Sequence, residues 1–195
     1  METTTQILNS DCLLQDMVSD LPCGLMVIAC AHAASEMLLR VSASLALHGP
    51  IRILDCGNRS DMHRVAKALR PLTNDPAAVM KRIDISRAFT CYQAEVLLGL
   101  NRGLTQTPVL VFDLLATYLD ESVSKCEAER LMEDSLDHLK KMSKANPVLV
   151  SVSPLPSVAA ERENLMQLLH ASADNFVQLL DVPPAETASR QISLF

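Results

Sequence analysis

Tryptophan is absent from this 195-residue chain, and two tyrosines and four phenylalanines bring the aromatic share to only 3%. A protein that stacks single-stranded bases on aromatic rings would have few residues from which to build that platform. Glycine is scarce too, at five residues, and none falls where a phosphate-cradling loop would need it. The six cysteines, Cys12, Cys23, Cys30, Cys56, Cys91 and Cys126, form no C-x-x-C pair and keep no regular spacing. Several lie inside apolar runs, the pattern of reduced, buried thiols in a cytosolic protein. The longest apolar stretch, LPCGLMVIACAHAA, is too short for a membrane span, and Asp16 and Asp20 precede it where a secretory signal wants positive charge. A cytoplasmic protein with no membrane partner is expected.

What the chain does have is apolar content. Hydrophobic residues make up 49% and charged ones 21%, within the range of one domain with a sizeable core. The net charge of −6 argues against a global field that attracts nucleic acid. Its distribution is uneven: from Arg40 to Arg87 nine Lys/Arg stand against four Asp/Glu, whereas the remainder holds eight against nineteen. Any DNA contact would be local to that basic span.

Residues 1–21 place Ile7, Leu8, Cys12, Leu14, Met17, Val18 and Leu21 at spacings of three and four, an amphipathic segment. Runs of strand length then follow at 24–30, 51–57, 82–89, 108–115, 147–153 and 175–182. Helical patterns separate them at roughly 35–48, 61–70, 91–103, 121–145 and 158–172. Strand alternating with helix predicts an α/β domain over 22–182, a mostly parallel sheet with helices on both faces. The helix at 121–145 has Asp120 or Ser122 as candidate caps, and Leu131, Met132, Ser135, Leu136, Leu139 and Met142 as its inward stripe. From Pro183 the chain reads as a loose tail, 183–195.

In a sheet of this kind the turn after the first strand is the usual phosphate site. A P-loop reads GxxxxGK[ST], because glycines let backbone N–H groups wrap phosphates while Lys neutralises them. Here the corresponding residues are ACAHAASE: Ala29 and Ala34 replace both glycines, Ser35 the lysine and Glu36 the hydroxyl residue. Glu36 at a helix start suits the helix dipole but repels phosphate. Nucleotide hydrolysis is not expected.

The order of elements, SRAF ending the third strand before a helix with Gln93, and PVLVFDLLA ending in Asp113, resemble the core of RecA and RadA-type recombinases. The resemblance covers about 22–182. It implies a three-layer RecA-like fold of the P-loop NTPase type, with Asp113 at the position of that family's magnesium-coordinating carboxylate. Without a P-loop, Asp113 is expected instead as a polar residue closing a buried strand. Ala29, Ala34, Ser35, Glu36 and Asp113 would together be a degenerate nucleotide site, with no cofactor and no metal.

Other polar residues have plainer readings. His32 beside Cys30 and Ser35 lacks a third triad member, and His138 with Asp134 is expected to be an i,i+4 surface pair. Arg59, Arg64, Arg82 and Arg87 are candidate DNA or partner contacts; the alternative is a solvated loop and strand-flanking charges, with Ser60 or Asp61 capping the helix that Met62 begins.

The final residues, RQISLF, put Ile192, Leu194 and Phe195 on a polar tail. They resemble the bacterial sliding-clamp-binding pentapeptide, Gln, Leu, Ser or Asp, Leu, Phe, with Ile192 as the one departure. The resemblance assigns Gln191 to a small polar pocket on the clamp and Leu194 and Phe195 to a hydrophobic one, with Ile192 and Ser193 between them. The tail's other reading is a segment folded back on the domain. The expectation is a bacterial, cytoplasmic, non-catalytic RecA-like accessory protein of DNA repair, recombination or translesion synthesis, nucleoid-associated when bound to the DNA polymerase III sliding clamp (beta subunit). A recombinase, a translesion polymerase or a RecA-like homologue would be its second partner. The alternatives are a recombinase-paralogue-like DNA-binding or scaffold subunit, and a nucleotide-binding enzyme with a nonstandard phosphate site.

Overall fold

The computed structural model describes residues 21–100, 106–156 and 161–179. The predicted amphipathic segment, apart from Leu21, and the predicted tail with Gln191, Ile192, Ser193, Leu194 and Phe195 lie outside the described residues. Within them, strands and helices alternate: β1 Gly24–Ala29, α1 Ser35–His48, β2 Ile51–Asp55, α2 Met62–Leu69, α3 Pro76–Met80, β3 Ile83–Arg87, α4 Cys91–Leu100, β4 Val109–Phe112, α5 Lys125–Ser143, β5 Pro147–Val152, α6 Glu163–Ser172 and β6 Asn175–Gln178. The β-branched and apolar runs supply the strands and the 3.6-period stretches the helices, as the patterning predicts.

All pairings are parallel, in the order β3-β2-β4-β5-β1-β6. Parallel neighbours need a crossover, and crossovers are right-handed. The connections leaving β1 and β2 run toward the β3 edge, whereas those leaving β3, β4 and β5 run toward the β6 edge. The two groups of helices therefore fall on opposite faces. On one, α1, α2 and α3 cover Ile28, Ile53, Leu110, Phe112 and Leu149. On the other, α4, α5 and α6 cover Val27, Leu54, Val111, Val148 and Val150. Alternate strand residues serve the two cores, giving three layers with a sheet buried on both sides.

Element ends differ from the sequence reading in instructive places. α5 begins four residues later than predicted, at Lys125, capped by Ser124, whose Oγ accepts from the Glu127 N–H at 3.3 Å. Asp120 instead accepts from the Ser122 N–H at 2.9 Å and shapes the preceding turn. α2 is capped by Asp61, which accepts from the N–H groups of His63 and Arg64. The run 108–115 stops as a strand at Phe112, because Asp113 turns into the left-handed region (φ 52°, ψ 55°) and starts a 3-10 turn, Leu114–Thr117. The short helix α3, opened by Asp75 and Pro76, had no periodicity to reveal it. Cys23 and Cys126 are exposed, while Cys56 and Cys91 are buried.

Candidate functional site

β2 and β4 are neighbours whose outgoing connections cross to opposite faces, so a crevice opens at their carboxyl ends. Two carboxylates sit there, Asp55 closing β2 and Asp113 just after β4, exposed by only 1% and 2%. Asp55 accepts from the backbone N–H groups of Arg59 at 2.8 Å and Ser60 at 2.9 Å, from the Ser60 hydroxyl, and from Arg87 Nε at 3.3 Å. Asp113 accepts from Arg59 Nε at 3.0 Å, and from the Ser153 N–H and hydroxyl, each at 3.1 Å. Arg87 also donates to the Ser60 carbonyl at 3.1 Å, which closes the ring of contacts. Buried carboxylates are costly unless charge and hydrogen bonds compensate. Here donors surround both of them. Hard divalent cations take sets of oxygen ligands, and donors on Asp113 do not fit a magnesium site.

Close packing fixes this arrangement. A Cβ on Gly57 would lie 2.4 Å from the Asp113 Cβ, so only glycine fits opposite that side chain. Cys56, between the two loops, has its thiol pushed up to about 12 by burial first and then by the charges of Asp55 and Asp113. It is a neutral packing group, not a nucleophile.

The loop after β1 is the second part of the edge. Ala29 ends β1 and is buried. Cys30 donates from its N–H to the Val152 carbonyl at 3.1 Å, and residues Ala31–Ala34 form a 3-10 turn in which His32 takes a positive φ of 53°. The Ser35 hydroxyl donates back to the His32 carbonyl, and Ser35 opens α1. Glu36, in the first turn of α1, pairs with Arg64 of α2 at 2.6 Å. Beyond β1, β5 and β6 lies a cavity of about 450 Å³ lined by Ala29, Leu155, Met166, His170, Phe176 and Leu179 among others. The His170 and Phe176 rings are 4.5 Å apart there.

The four candidate arginines are thus all engaged inside the chain. Arg59 binds Asp113, Arg87 binds Asp55 and Ser60, and Arg64 binds Glu36. Arg82 donates to the Ala46 and Leu47 carbonyls, holding the carboxyl end of α1. Asp113 and Arg59 are brought together, whereas Glu36 pairs away from them, with Arg64. Gln93 works as a helix cap: its Oε1 accepts from the Phe89 N–H at 2.8 Å, and the Gln93 N–H donates to Thr90 Oγ at 3.2 Å. The reading of His138 as an Asp134 surface partner is corrected. His138 is buried, its Nε2 lies 2.9 Å from Glu95 of α4, and Asp134 pairs with Arg130 at 2.9 Å. The i,i+4 spacing allowed either geometry, and packing of α5 on α4 chose the inward one.

Sequence reasoning passed over Asp55, Ser60's burial, Ser153 and Gly57. The signal for Asp55 was present: a carboxylate ending an apolar strand, followed by a turn with a glycine and an arginine. It also passed over an exposed stripe. Phe89, Tyr92, Val96 and Leu100 are 71%, 48%, 53% and 72% exposed and lie on one outer line of α4 and the residue run leading into it. Among the described residues no cluster of three or more His, Cys, Asp or Glu could hold a metal ion, and no helix is long and apolar enough to cross a membrane.

No protein-family model matches the chain, and no curated protein sequence matches it.

Proposed function

We propose that this protein is a non-catalytic RecA-like accessory factor of DNA repair, recombination or lesion bypass, recruited to the replicative sliding clamp through Gln191–Phe195. The observation that carries the non-catalytic half is the state of the sheet edge. Asp113, the residue the resemblance would give to magnesium, spends its oxygens on Arg59 and Ser153, and the turn after β1 offers Ala29 and Ala34 in place of glycines, Ser35 in place of lysine and Glu36 in place of the hydroxyl residue. A three-layer parallel sheet with a carboxylate just after β4 supports the RecA-like assignment, by analogy of architecture. The clamp half rests on the sequence QISLF, which keeps the amide and the Leu-Phe pair of the pentapeptide. In this reading the tail recruits and the body presents a docking face to a recombinase, a polymerase or a RecA-like homologue. The α4 stripe of Phe89, Tyr92, Val96 and Leu100 is the face best suited to that, because apolar side chains left in water along one helix line favour a partner.

A second reading, a nucleotide-binding enzyme with a nonstandard phosphate site, draws support from the 450 Å³ cavity beside Ala29, at the carboxyl edge where ligands bind in such sheets. Thermal melting of the intact chain with saturating ATP and magnesium separates the two. The proposal expects no rise in Tm, and a rise of several degrees would support the enzyme reading.

A further inference from the structure

The basic span noted in the sequence takes a definite shape in the fold. On α1, Glu36, Arg40 and Ser44 fall at i, i+4 and i+8; on α2, Arg64, Lys67 and Ala68 fall at i, i+3 and i+4, and Pro71 and Leu72 follow. The two helices pack side by side, and these two columns line the walls of a groove of about 550 Å³. Three cations and a hydroxyl face one volume in a chain whose overall charge is −6. Among the described lining residues the carboxylate is Glu36, which pairs with Arg64 at 2.6 Å, and Asp61 beside the groove lies 3.8 Å from the same guanidinium. Eight residues of helix rise about 12 Å, the span of three to four nucleotide steps along one strand of a duplex.

We infer that the α1–α2 groove binds the phosphate backbone of duplex nucleic acid through Arg40, Lys67 and Arg64, with Ser44 as a hydroxyl donor and with Glu36 and Asp61 as the competitors that hold Arg64 in the free protein. Local cationic clefts concentrate polyanions even on a protein of opposite net charge. The shape of the site favours a backbone over a mononucleotide, because the cations are spread along two helices instead of converging on one helix N-terminus. Leu72, 51% exposed at the far end, gives sugar and base edges an apolar surface. The poverty in aromatic residues argues for duplex over single strands, which are held by stacking. The inference stands apart from clamp recruitment, so the failure of either leaves the other untouched.

The test is fluorescence anisotropy of a labelled 20-base-pair duplex with the intact chain, in the absence of clamp, from 20 to 200 mM KCl. Binding should be sequence-independent, with log K falling against log salt at a slope of about −2 to −3 for two to three neutralised phosphates. Lys67→Ala should weaken binding and reduce the slope by about one. Glu36→Gln should tighten binding by about threefold at low salt, the worth of one relieved surface ion pair, a gain that a purely structural role for Glu36 would not give. Arg40→Glu with Lys67→Glu should abolish binding while circular dichroism and Tm show the fold retained. A flat salt response would overturn the inference, as would a charge-reversed protein that binds as before. Polyglutamate competing as well as duplex would make the groove an acidic-peptide site instead, and displacement by micromolar ATP would make it a mononucleotide site; each contradicts the assignment.

Discussion

Asp113 holds a left-handed backbone conformation that costs most residues about 1 kcal/mol or more, and that asparagine and aspartate tolerate best. The bend lets one carboxylate reach both Arg59, after β2, and the Ser153 N–H, after β5, the strands on either side of β4. Gly57 makes room for it. Replacing Gly57 with alanine puts a methyl 2.4 Å from the Asp113 Cβ, with no flexible side-chain end to yield, so the edge must shift. Gly57→Ala should destabilise by about 1–3 kcal/mol in urea unfolding, in the overpacking range. Cys56 gives a pH signature. Its folded value is raised from about 9 to about 12, so the stability it confers is complete below pH 9 and is lost as pH rises toward 12. Between those limits the contribution falls by up to about 1.4 kcal/mol per pH unit. In Cys56→Ala, unfolding followed from pH 8 to 11 should lack that component of the slope.

Arg59, from the loop after β2, and Asp113, from the start of the 3-10 turn after β4, tie two neighbouring strand ends together through one ion pair. The arginine side chain is 38% exposed and the carboxylate 3%, so the pair is only partly desolvated. A double-mutant cycle of Arg59→Ala and Asp113→Ala should give a coupling of about 1–3 kcal/mol, below that of a fully buried pair. Additivity would show that the contact is incidental. On α4 the expected effect is opposite in kind: Val96→Ser with Leu100→Ser removes apolar surface already in water, and should leave stability within about 0.5 kcal/mol. Much of this scale was legible in the sequence. The strand runs, the helix 35–48 and the inward stripe of α5 follow from periodicity, because each element buries one or both faces. What escaped was decided between elements. Ser124 caps α5 because the Asp120 turn consumes the residues before it, and His138 points inward because Glu95 waits on α4. The carboxylate network at the sheet edge escaped for the same reason: Asp55, Ser60, Arg87, Asp113 and Ser153 are spread over nearly a hundred positions, and only the strand order gathers them.

At the scale of the whole molecule, the sheet edge that binds ligands in related architectures is closed by the chain's own side chains over β2 and β4, while apolar and cationic surface appears on the helices. That division suits a body that holds partners and a tail that recruits it. Charge follows the same division, with the basic residues gathered between 40 and 87 and the acidic excess elsewhere. Recruitment to the sliding clamp is the proposed role of the tail, and it is measured by calorimetry of purified sliding clamp with the intact chain and with Leu194→Ala/Phe195→Ala. The intact chain should bind with a dissociation constant of micromolar order, about −8 kcal/mol, and the variant should show no measurable binding. An intact chain that ignores the clamp, or a variant that binds it equally well, would contradict it.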